Sequence, residues 1–467
     1  MNDPRSCDVV GIGFGPSNLG LAVALDEHNR GGGRLAGVFF ERQEEFTWHR
    51  DMLIEGATVQ VSFLKDLVTL RRPTSEYSFL AYLHAKERLI DFVNHKNLFP
   101  SRIEFNDYLR WVAGHFAHLV DYSCTVVGVR PVRHGGRVEA MDVTVRRGGP
   151  QGRLEVRRAR NIVLGTGLRP ALPPGTPVSA RVWHSDELLT RISRLQGPPP
   201  RRIVVVGAGQ SAAEVVEYAH RTFTDAEVCA VFARYGYSPA DDSPFANRVF
   251  DPEAVDLHYA AGEDVRRMMS DYHRNTNYSV VDTDLIDELY RRFYQEKVSG
   301  RRRLRILNLS RVVEVLDTGD GVRVVVESLP SAELDVLDAD LVVLATGYRE
   351  SDVFGLLGEM GEHCLRDQRG RPRVTRDYRV ETADDVECGI YLQGPTEHTH
   401  GISSGLLSNI AVRSGEILHS IAVRSGQSPR PAPASRNGSA AQAPTAALAA
   451  AGGRRDGAGP WEPGEEA

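Results

Sequence analysis

The chain has 467 residues, of which 41% are hydrophobic and 25% charged, as is typical of a folded globular protein with two or three domains. A formal net charge of -6, with no basic surface interleaved with aromatics, argues against a nucleic-acid partner. No window approaches the roughly eighteen apolar residues of a membrane-spanning helix, and the amino terminus lacks the pattern of an export signal. We therefore expect neither export nor a transmembrane segment.

The cysteines are few and scattered. They lie at positions 7, 124, 229, 364 and 388, with neither the CxxC spacing of a metal site nor the close pair of a dithiol redox centre. This pattern predicts a reduced, cytoplasmic protein without a metal site.

The first predicted elements form a strand, a helix and a second strand around a glycine-rich turn. An apolar run ends at Ile12, the turn reads GIGFGPSN, and the apolar spacing of NLGLAVALDEH predicts a helix before the strand VFFER. Gly11 and Gly13 allow backbone N–H groups to approach a pyrophosphate at the helix amino terminus. Pro16 stands where such loops have a third glycine, and Glu41 follows the second strand, placed to bind a ribose hydroxyl.

The same order of elements returns about two hundred residues later, in RRIVVVGAGQSAAEVVEYAHR and VCAVFAR. Gly207, Gly209 and Ala212 provide the small residues that a second nucleotide loop needs. Arg234 stands where an NAD site usually has an acid, and a guanidinium matches the 2′-phosphate of NADP. The second loop therefore predicts NADPH rather than NADH, although a solvated arginine at the strand end is the alternative.

The order of these elements predicts an α/β protein with two Rossmann-like dinucleotide-binding domains, one for FAD and one for NADPH, and a small helical substrate-binding insert. The stretches NIVLGTGLRP and ADLVVLATGYRE each read as a buried strand that runs into a glycine turn, where the chain leaves and re-enters the first domain. The predicted boundaries are 1–185 and 345–425 for the FAD domain, 186–344 for the NADPH domain, about 240–300 for the insert, and 426–467 for a disordered tail.

Two dinucleotide sites in one chain predict electron flow from NADPH to a flavin. The disulfide-reductase branch of this architecture needs two nearby cysteines, and the sequence has none. An oxygen-using flavoenzyme is therefore the leading class.

At this point the chain resembles the N-hydroxylating flavin monooxygenases of siderophore biosynthesis, and most closely the L-ornithine N5-monooxygenases. The resemblance runs from about Asp8 to Val423. It rests on the motifs GIGFGPSN, TWHRDM, QVSFLKDLVTLRRPTSEYSFLAYL, LFPSRIEFNDYLRW, GAGQSAAE, DDSPFANRVFDPE, NTNYSVVD, ATGY and HGISSGLLS.

The resemblance implies three sets of binding residues. For FAD they are Gly11, Gly13, Pro16, Ser17, Asn18, Glu41, Trp48, His49, Gln60, Val126, Gly405, Leu406 and Leu407. For NADPH they are Gly207, Gly209, Gln210, Ser211, Ala212, Arg234, Asn277, Tyr278 and Ser279. For ornithine they are Lys65, Asn247, Asn277 and Ser408.

Lys65 is one of only four lysines, with Lys86, Lys96 and Lys297, in a chain that otherwise uses arginine. Its compact ammonium suits an α-carboxylate, and the two asparagines offer donors and acceptors to a zwitterion without adding charge. Read without the resemblance, Lys65 fits a solvated or ion-paired lysine better than a substrate-binding one. His49 is open to two interpretations, a general base or a packing residue beside the flavin.

The family chemistry hydroxylates the side-chain amine of L-ornithine with O2 through a C4a-hydroperoxyflavin, which requires the amine to be neutral. No covalent protein nucleophile is implied, and the family suggests a homo-tetramer or dimer. Three alternatives remain: an N-hydroxylase of lysine or a diamine, a Baeyer-Villiger or sulfur-oxidising monooxygenase, and a non-catalytic flavin and NADPH-binding sensor.

Overall fold

The computed structural model describes residues 6–273, 276 and 278–427. Strands in these ranges are short and rich in valine, isoleucine and leucine, the composition expected of buried parallel sheets. They are β1 Ser6–Ile12, β2 Gly37–Phe40, β3 Val120–Asp121, β4 Cys124–His134, β5 Arg137–Arg147, β6 Arg153–Leu164, β7 Leu168–Pro170, β8 Val182–His184, β9 Arg202–Val206, β10 Glu227–Val231, β11 Leu304–Leu307, β12 Ser310–Asp317, β13 Val322–Ser328, β14 Leu334–Ala339, β15 Leu341–Leu344, β16 Tyr348–Glu350 and β17 Gly389–Leu392.

The helices pack against the faces of these sheets or form the insert. They are α1 Pro16–Arg30, α2 Phe79–Ala85, α3 Leu89–His95, α4 Arg102–His115, α5 Leu188–Ser193, α6 Gln210–Thr222, α7 Pro252–Ala260, α8 Glu263–Tyr272, α9 Thr283–Ser299, α10 Val353–Leu357, α11 Glu397–His400 and α12 Ile410–Arg424. Turns of 3-10 helix occupy Arg50–Met52, Ala117–Leu119, Ser185–Glu187, Ala246–Phe250, Gly358–His363, Ile402–Gly405 and Leu407–Asn409.

The first sheet has the order β3-β2-β1-β6-β5-β4, and β17 also pairs with β6. The β1 strand is parallel to β2 and β6, whereas β4 and β5 form an antiparallel hairpin that extends the amino-terminal half of β6. Successive side chains of β1 enter opposite cores. Val9 lies in the core that contains residues of α1 and α12, and Val10 lies in the core that contains residues of the hairpin. Both faces of this sheet are therefore covered, as parallel sheets require.

The second sheet has the order β11-β10-β9-β15-β8, with every pair parallel. The side chains of its central strand, β9, also alternate between two cores, since Ile203 and Val205 enter one core and Val204 enters the other. An antiparallel sheet, β12-β13-β14, covers the second face. These two sheets confirm the predicted α/β class with two Rossmann-like units.

The chain crosses between the two parallel sheets twice, and the two crossings lie side by side. After β6 it continues as β7, and after β15 as β16, and these two short strands pair antiparallel, with Arg169 opposite Arg349. The two predicted stretches of buried strand and glycine turn are thus adjacent in space. The exact domain boundaries stay a prediction.

The predicted insert contains Ala246–Phe250, α7, α8 and α9. Leu289 is buried on α9, and Leu285 and Phe293 pack on the same core, as their spacing predicts. Asp282 occupies the N-cap position of α9, where an aspartate commonly caps, but its side chain makes no capping hydrogen bond. Its carboxylate is bonded elsewhere, as described below.

No helix in the described ranges combines the length and apolarity needed to cross a bilayer. The predicted disorder from residue 426 onward falls, from residue 428, outside the described residues.

Candidate active site

The first glycine loop joins β1 to α1 and leaves the helix amino terminus open. Gly15 is the N-cap residue and no side chain caps the helix, while Pro16 lies in its first turn as predicted. Gly13 has φ +83°, and a Cβ there would lie 2.5 Å from the carbonyl oxygen of Gly165. The unbonded N–H groups and the helix dipole make this turn suitable for a pyrophosphate.

Glu41 lies just beyond β2 and is buried. Its carboxylate accepts hydrogen bonds from the backbone N–H groups of Phe14, at 2.6 Å, and Gln43, at 2.9 Å. Each carboxylate oxygen has a second lone pair. Glu41 is thus fixed against the glycine loop and can still accept a ribose hydroxyl.

Below the loop, a buried polar cluster joins α1 to α12. Asn18 is fully buried and donates to the Gly13 carbonyl oxygen at 2.7 Å, so it supports the loop from within. Arg413 is also buried and donates to Ser17 Oγ and Gln393 Oε1, each at 3.2 Å, and to the Ser404 carbonyl oxygen.

Arg413 has no ion pair with a carboxylate among the residues that the structure describes. Burial lowers the pKa of its guanidinium. A buried cation beside the loop complements a bound pyrophosphate. Sequence reasoning missed this residue, although an arginine on the same helix face as Ile410 and Ile417 was a usable signal.

The segment before α12 carries buried polar atoms without a hydrogen-bond partner. They are Thr396 Oγ1, Ser404 Oγ, Ser408 Oγ and Asn409 Oδ1. Buried polar groups in folded proteins are nearly always bonded, so such a cluster indicates a missing ligand. The predicted Gly405-Leu406-Leu407 turn lies in this segment, with Gly405 exposed and both leucines half-buried.

Trp48 and His49 lie together within the TWHRDM motif, with their rings in edge contact at 4.6 Å between centroids. His49 has a left-handed backbone, φ 51°, a strained conformation that is often retained at functional sites. Desolvation and, secondly, Arg102 lower its pKa to about 4, although the residue as a whole is exposed. A histidine this acidic is neutral at pH 7 and a weak base, which favours the packing interpretation.

Val126 lies on β4, not in the segment that carries Trp48 and His49. It is 9% exposed and belongs to the core that contains Ile12 and Phe40. It thus borders the carboxyl ends of β1 and β2, where the first glycine loop and Glu41 begin.

The second glycine loop joins β9 to α6 in the same manner. Gly209 is an N-cap without a side-chain cap, so Gln210 and Ser211 begin a helix with free N–H groups. Gly207 has φ +141°, and any Cβ there would collide with the Ala345 carbonyl group. Ala212 is fully buried against this turn.

Arg234 follows β10, which ends at Val231, and it is half-buried. Its guanidinium donates to the Ser279 carbonyl oxygen at 3.0 Å and to Ser238 Oγ at 3.3 Å. Ser279 has φ +55° and lies against Gly209. The structure therefore brings Arg234, Ser279 and the second loop together. Tyr278 is exposed and donates to Glu397 at 2.5 Å.

The helix of the second loop, α6, is joined to the first domain by a buried ion pair and by a chain of hydrogen bonds. Arg102 on α4 binds Glu214 on α6 through two bonds of 2.9 and 2.7 Å. Gln60 donates to Asp282, which also accepts from Gln210 at 3.3 Å. Among these residues, sequence reasoning found only Gln60 and Gln210.

Lys65 lies on the Ala246–Phe250 side of the cleft, with Nζ 5.4 Å from the centroid of Phe250. Burial lowers the pKa of its ammonium, and nearby Asp251 partly opposes this. Asn247, on the same 3-10 turn as Phe250, donates to the Asp242 carbonyl oxygen at 2.6 Å. That turn packs against Ile402–Gly405, the segment before Ser408.

The structure thus places Lys65, Asn247 and the segment that leads to Ser408 around one region of the cleft. Asn277, the remaining predicted ornithine and NADPH contact, lies outside the described residues.

Comparison with known proteins agrees with this geometry. The family model described as L-lysine 6-monooxygenase/L-ornithine 5-monooxygenase matches residues 5–350. The L-ornithine N(5)-monooxygenase of Burkholderia cepacia is 43% identical over 401 residues, which cover 84% of this chain and 89% of that protein. The L-ornithine N(5)-monooxygenase of Pseudomonas aeruginosa is 39% identical over 416 residues, 88% and 92% of the two chains.

Among solved structures, the ornithine N-hydroxylase of Kutzneria sp. 744, solved with reduced FAD, NADP+ and L-ornithine, has a TM-score of 0.86 and 47% identity. The match covers 90% of this chain and all of that one. With two nucleotide loops, a cleft between them and relatives of this similarity along most of its length, the chain belongs to the L-lysine 6-monooxygenase/L-ornithine 5-monooxygenase family.

Proposed function

We propose that this chain hydroxylates the side-chain amine of L-ornithine with O2, using FAD and NADPH, and so supplies N5-hydroxyornithine for hydroxamate siderophore biosynthesis. The single observation that carries the substrate assignment is Lys65, a half-buried ammonium in the cleft. It forms no ion pair with any carboxylate in the described part of the chain.

An ammonium in this position favours an anionic ligand. Removing a cation from water is costly unless an opposite charge or hydrogen-bond acceptors replace the solvent. The pKa of Lys65 is lowered, because desolvation of its ammonium outweighs the attraction of Asp251. The described residues therefore compensate only in part for the removal of this charge from water. The α-carboxylate of an amino acid would supply the missing charge.

Asn247 complements this interaction. Its amide nitrogen is occupied by the Asp242 carbonyl, and its carbonyl oxygen accepts no bond within the described residues, so that oxygen is available to the α-ammonium of the substrate. Ser408 Oγ is buried and unbonded near the same region. A diamine has no carboxylate and would leave Lys65 unpaired.

FAD fits the first loop, where α1, Glu41 and Arg413 would hold its pyrophosphate and ribose, and bound FAD reduced by NADPH supplies the activated oxygen. NADPH fits the second loop, where Arg234 would hold the 2′-phosphate. The protein positions the terminal amine of the substrate by holding its opposite end at Lys65, so the reacting nitrogen is oriented without a covalent nucleophile.

The cleft must also keep that amine neutral. An alkyl ammonium titrates near ~10.4 in water and has no lone pair while protonated, and desolvation lowers this pKa. Desolvation already lowers the pKa values of His49 and Lys65 on the cleft walls. The same walls would favour the neutral amine and exclude water from the reacting oxygen.

The test is product formation by the purified, FAD-loaded protein with NADPH and O2, offered ornithine, lysine, putrescine or cadaverine separately, with hydroxylamine detected by mass. We expect hydroxyornithine as the dominant product. Lysine differs by one methylene, which alone gives only about 1 to 3 kcal/mol of discrimination. A hydroxylated diamine would refute carboxylate recognition. If none of the four amines is hydroxylated, NADPH oxidation would favour the other monooxygenase class, and its absence would favour the sensor.

Lys65→Ala gives the first testable prediction. Losing a charged hydrogen-bond partner costs about 1.5 to 3 kcal/mol, so KM for ornithine should rise roughly 10- to 150-fold while basal NADPH oxidation persists. Lys86→Ala is the matched control, because Lys86 lies on the surface beside Asp107 at 3.7 Å. Equal KM values for both variants would contradict the role of Lys65.

A homo-tetramer or dimer and a cytoplasmic location remain predictions that the family resemblance supports. Sedimentation of the purified protein tests the first, and fractionation of the producing cell tests the second.

A further inference from the structure

Asp282 stands at the start of α9 in a position where an aspartate ordinarily caps the helix. A capping carboxylate accepts from the free N–H groups of the first turn and contributes about 1 kcal/mol of stability. Here the side chain makes no such bond. It is directed instead toward Gln60 and Gln210.

The carboxylate binds one glutamine from each side of the cleft. Its Oδ2 atom accepts from Gln60, beside the expected flavin, and from Gln210, the first residue of α6 in the NADPH loop, at 3.3 Å. The backbone N–H of Asp282 also donates to Gln210 Oε1 at 2.8 Å. Both polar groups of the Gln210 amide are thereby oriented, since its nitrogen also donates to Glu214 at 3.1 Å.

The surroundings of Asp282 favour its protonated form over its ionised form. Burial first, and then the negative charges of Glu214 and Asp284, raise the pKa of Asp282 to about 6, while Arg102 and the bond from Gln210 oppose the shift. A carboxyl whose pKa is raised on folding contributes stability that is fully present below its unfolded pKa and is lost as pH rises through the folded value. The bonds to Gln60 and Gln210, made in place of a helix cap, point to a role in binding.

We propose that Asp282 is a positioning residue for NADP(H): its carboxylate holds Gln60 and Gln210 together, so that the flavin side and the NADPH loop present one continuous binding surface. The inference rests on the proposed cofactors, and it adds a residue to the predicted NADPH set. The link acts through the two glutamines and does not require Asp282 to touch the nucleotide.

The first test is the affinity of the FAD-loaded protein for NADP+, measured by calorimetry without turnover. In Asp282→Asn the shared acceptor loses its charge, and we expect Kd for NADP+ to rise about tenfold at pH 8. The melting temperature of the apoprotein should stay equal or rise, because the variant removes a charge that is unfavourable when buried. If Asp282 were purely structural, its substitution would instead lower the melting temperature.

The pH dependence gives a second readout. Below pH 6 the wild-type carboxyl takes up a proton and also loses its charge, so the ratio of the two Kd values should fall toward one by pH 5. The 2′-phosphate of NADP+ titrates near ~6 as well, but it does so equally in both proteins and cancels in the ratio. Asp287→Asn is the matched control, since Asp287 is an exposed aspartate on the same helix.

Gln60→Met breaks the link from the other side without altering α9. If Asp282 acts through Gln60, the Asp282→Asn and Gln60→Met effects on Kd should be less than additive in the double variant. This variant also keeps the test valid if Asp282→Asn fails to fold.

A Kd for Asp282→Asn within twofold of wild type at pH 8, or a difference that persists undiminished at pH 5, would overturn the inference. Additive effects in the double variant would do the same. Weaker NADP+ binding in Asp282→Asn by a protein that fails to hydroxylate ornithine would support this inference while refuting the proposed substrate.

Discussion

Arg234 is the side chain that we expect to select NADPH over NADH. Its guanidinium is held by the Ser279 carbonyl and by Ser238 Oγ, both neutral oxygens, and it has no ion pair with a carboxylate among the described residues. It therefore keeps its charge available for a phosphate. The alternative of a freely solvated arginine does not fit a half-buried group with two bonds.

Arg234→Ala should raise KM for NADPH roughly 10- to 150-fold, since bonds to a charged group contribute about 1.5 to 3 kcal/mol, and should leave KM for NADH nearly unchanged. Steady-state kinetics with both nucleotides measure this selectivity. Arg311→Ala, at an exposed arginine of β12 paired with Glu327 at 2.6 Å, is the control. An equal loss with NADH would show that Arg234 does not recognise the 2′-phosphate.

At the scale of elements, the ion pair between Arg102 and Glu214 connects the first residue of α4 to α6. The two side chains are 11% and 4% exposed, and Arg102 also donates to the Met52 carbonyl oxygen at 2.8 Å. A buried pair contributes little net stability as a pair, but removal of one member leaves an uncompensated charge. The pair therefore fixes how these two helices meet.

Glu214→Gln should lower the free energy of unfolding by about 3 kcal/mol or more, because Arg102 would remain buried without a counter-charge. Glu45→Gln is the matched control: Glu45 binds Arg110, also on α4, at 2.9 Å, but both side chains are half exposed. An exposed pair contributes at most about 1 kcal/mol. Denaturant unfolding of both variants measures the difference, and equal effects would contradict this assignment.

At the scale of the whole molecule, buried groups around the first loop are incompletely bonded. Within the described part of the chain, Arg413 lacks an anionic partner, and Ser404, Ser408 and Asn409 carry unbonded polar atoms. A ligand that completes these interactions binds the folded chain and not the unfolded one, so it must raise stability.

FAD at one hundred times its Kd should stabilise the apoprotein by about 2.7 kcal/mol and raise its melting temperature by several degrees. Riboflavin, which lacks the pyrophosphate and adenosine, should have a much smaller effect because it leaves the glycine loop and Arg413 unsatisfied. Thermal unfolding at several ligand concentrations measures both. Equal stabilisation by riboflavin would place the flavin elsewhere.

Local patterns were sufficient to predict both nucleotide units. The glycine turns, the valine-rich strands and the α9 face of Leu285, Leu289 and Phe293 depend on residues close in sequence, and the structure confirms them. The side-by-side pairing of β7 with β16 was not predicted as a contact, because no local property joins residues almost two hundred positions apart.

The sequence by itself determined the fold class and the two loops, because these depend on backbone conformation and side-chain type, whereas most of the candidate site residues came from the resemblance to the family. Only the tertiary structure decided that Asp282 binds two glutamines instead of capping α9, that Asn18 supports the loop from below, and that Arg413 lies beside it without a carboxylate partner among the described residues. The physical reason is that hydrogen-bond partners, desolvation and unbalanced charge depend on distant segments meeting in space.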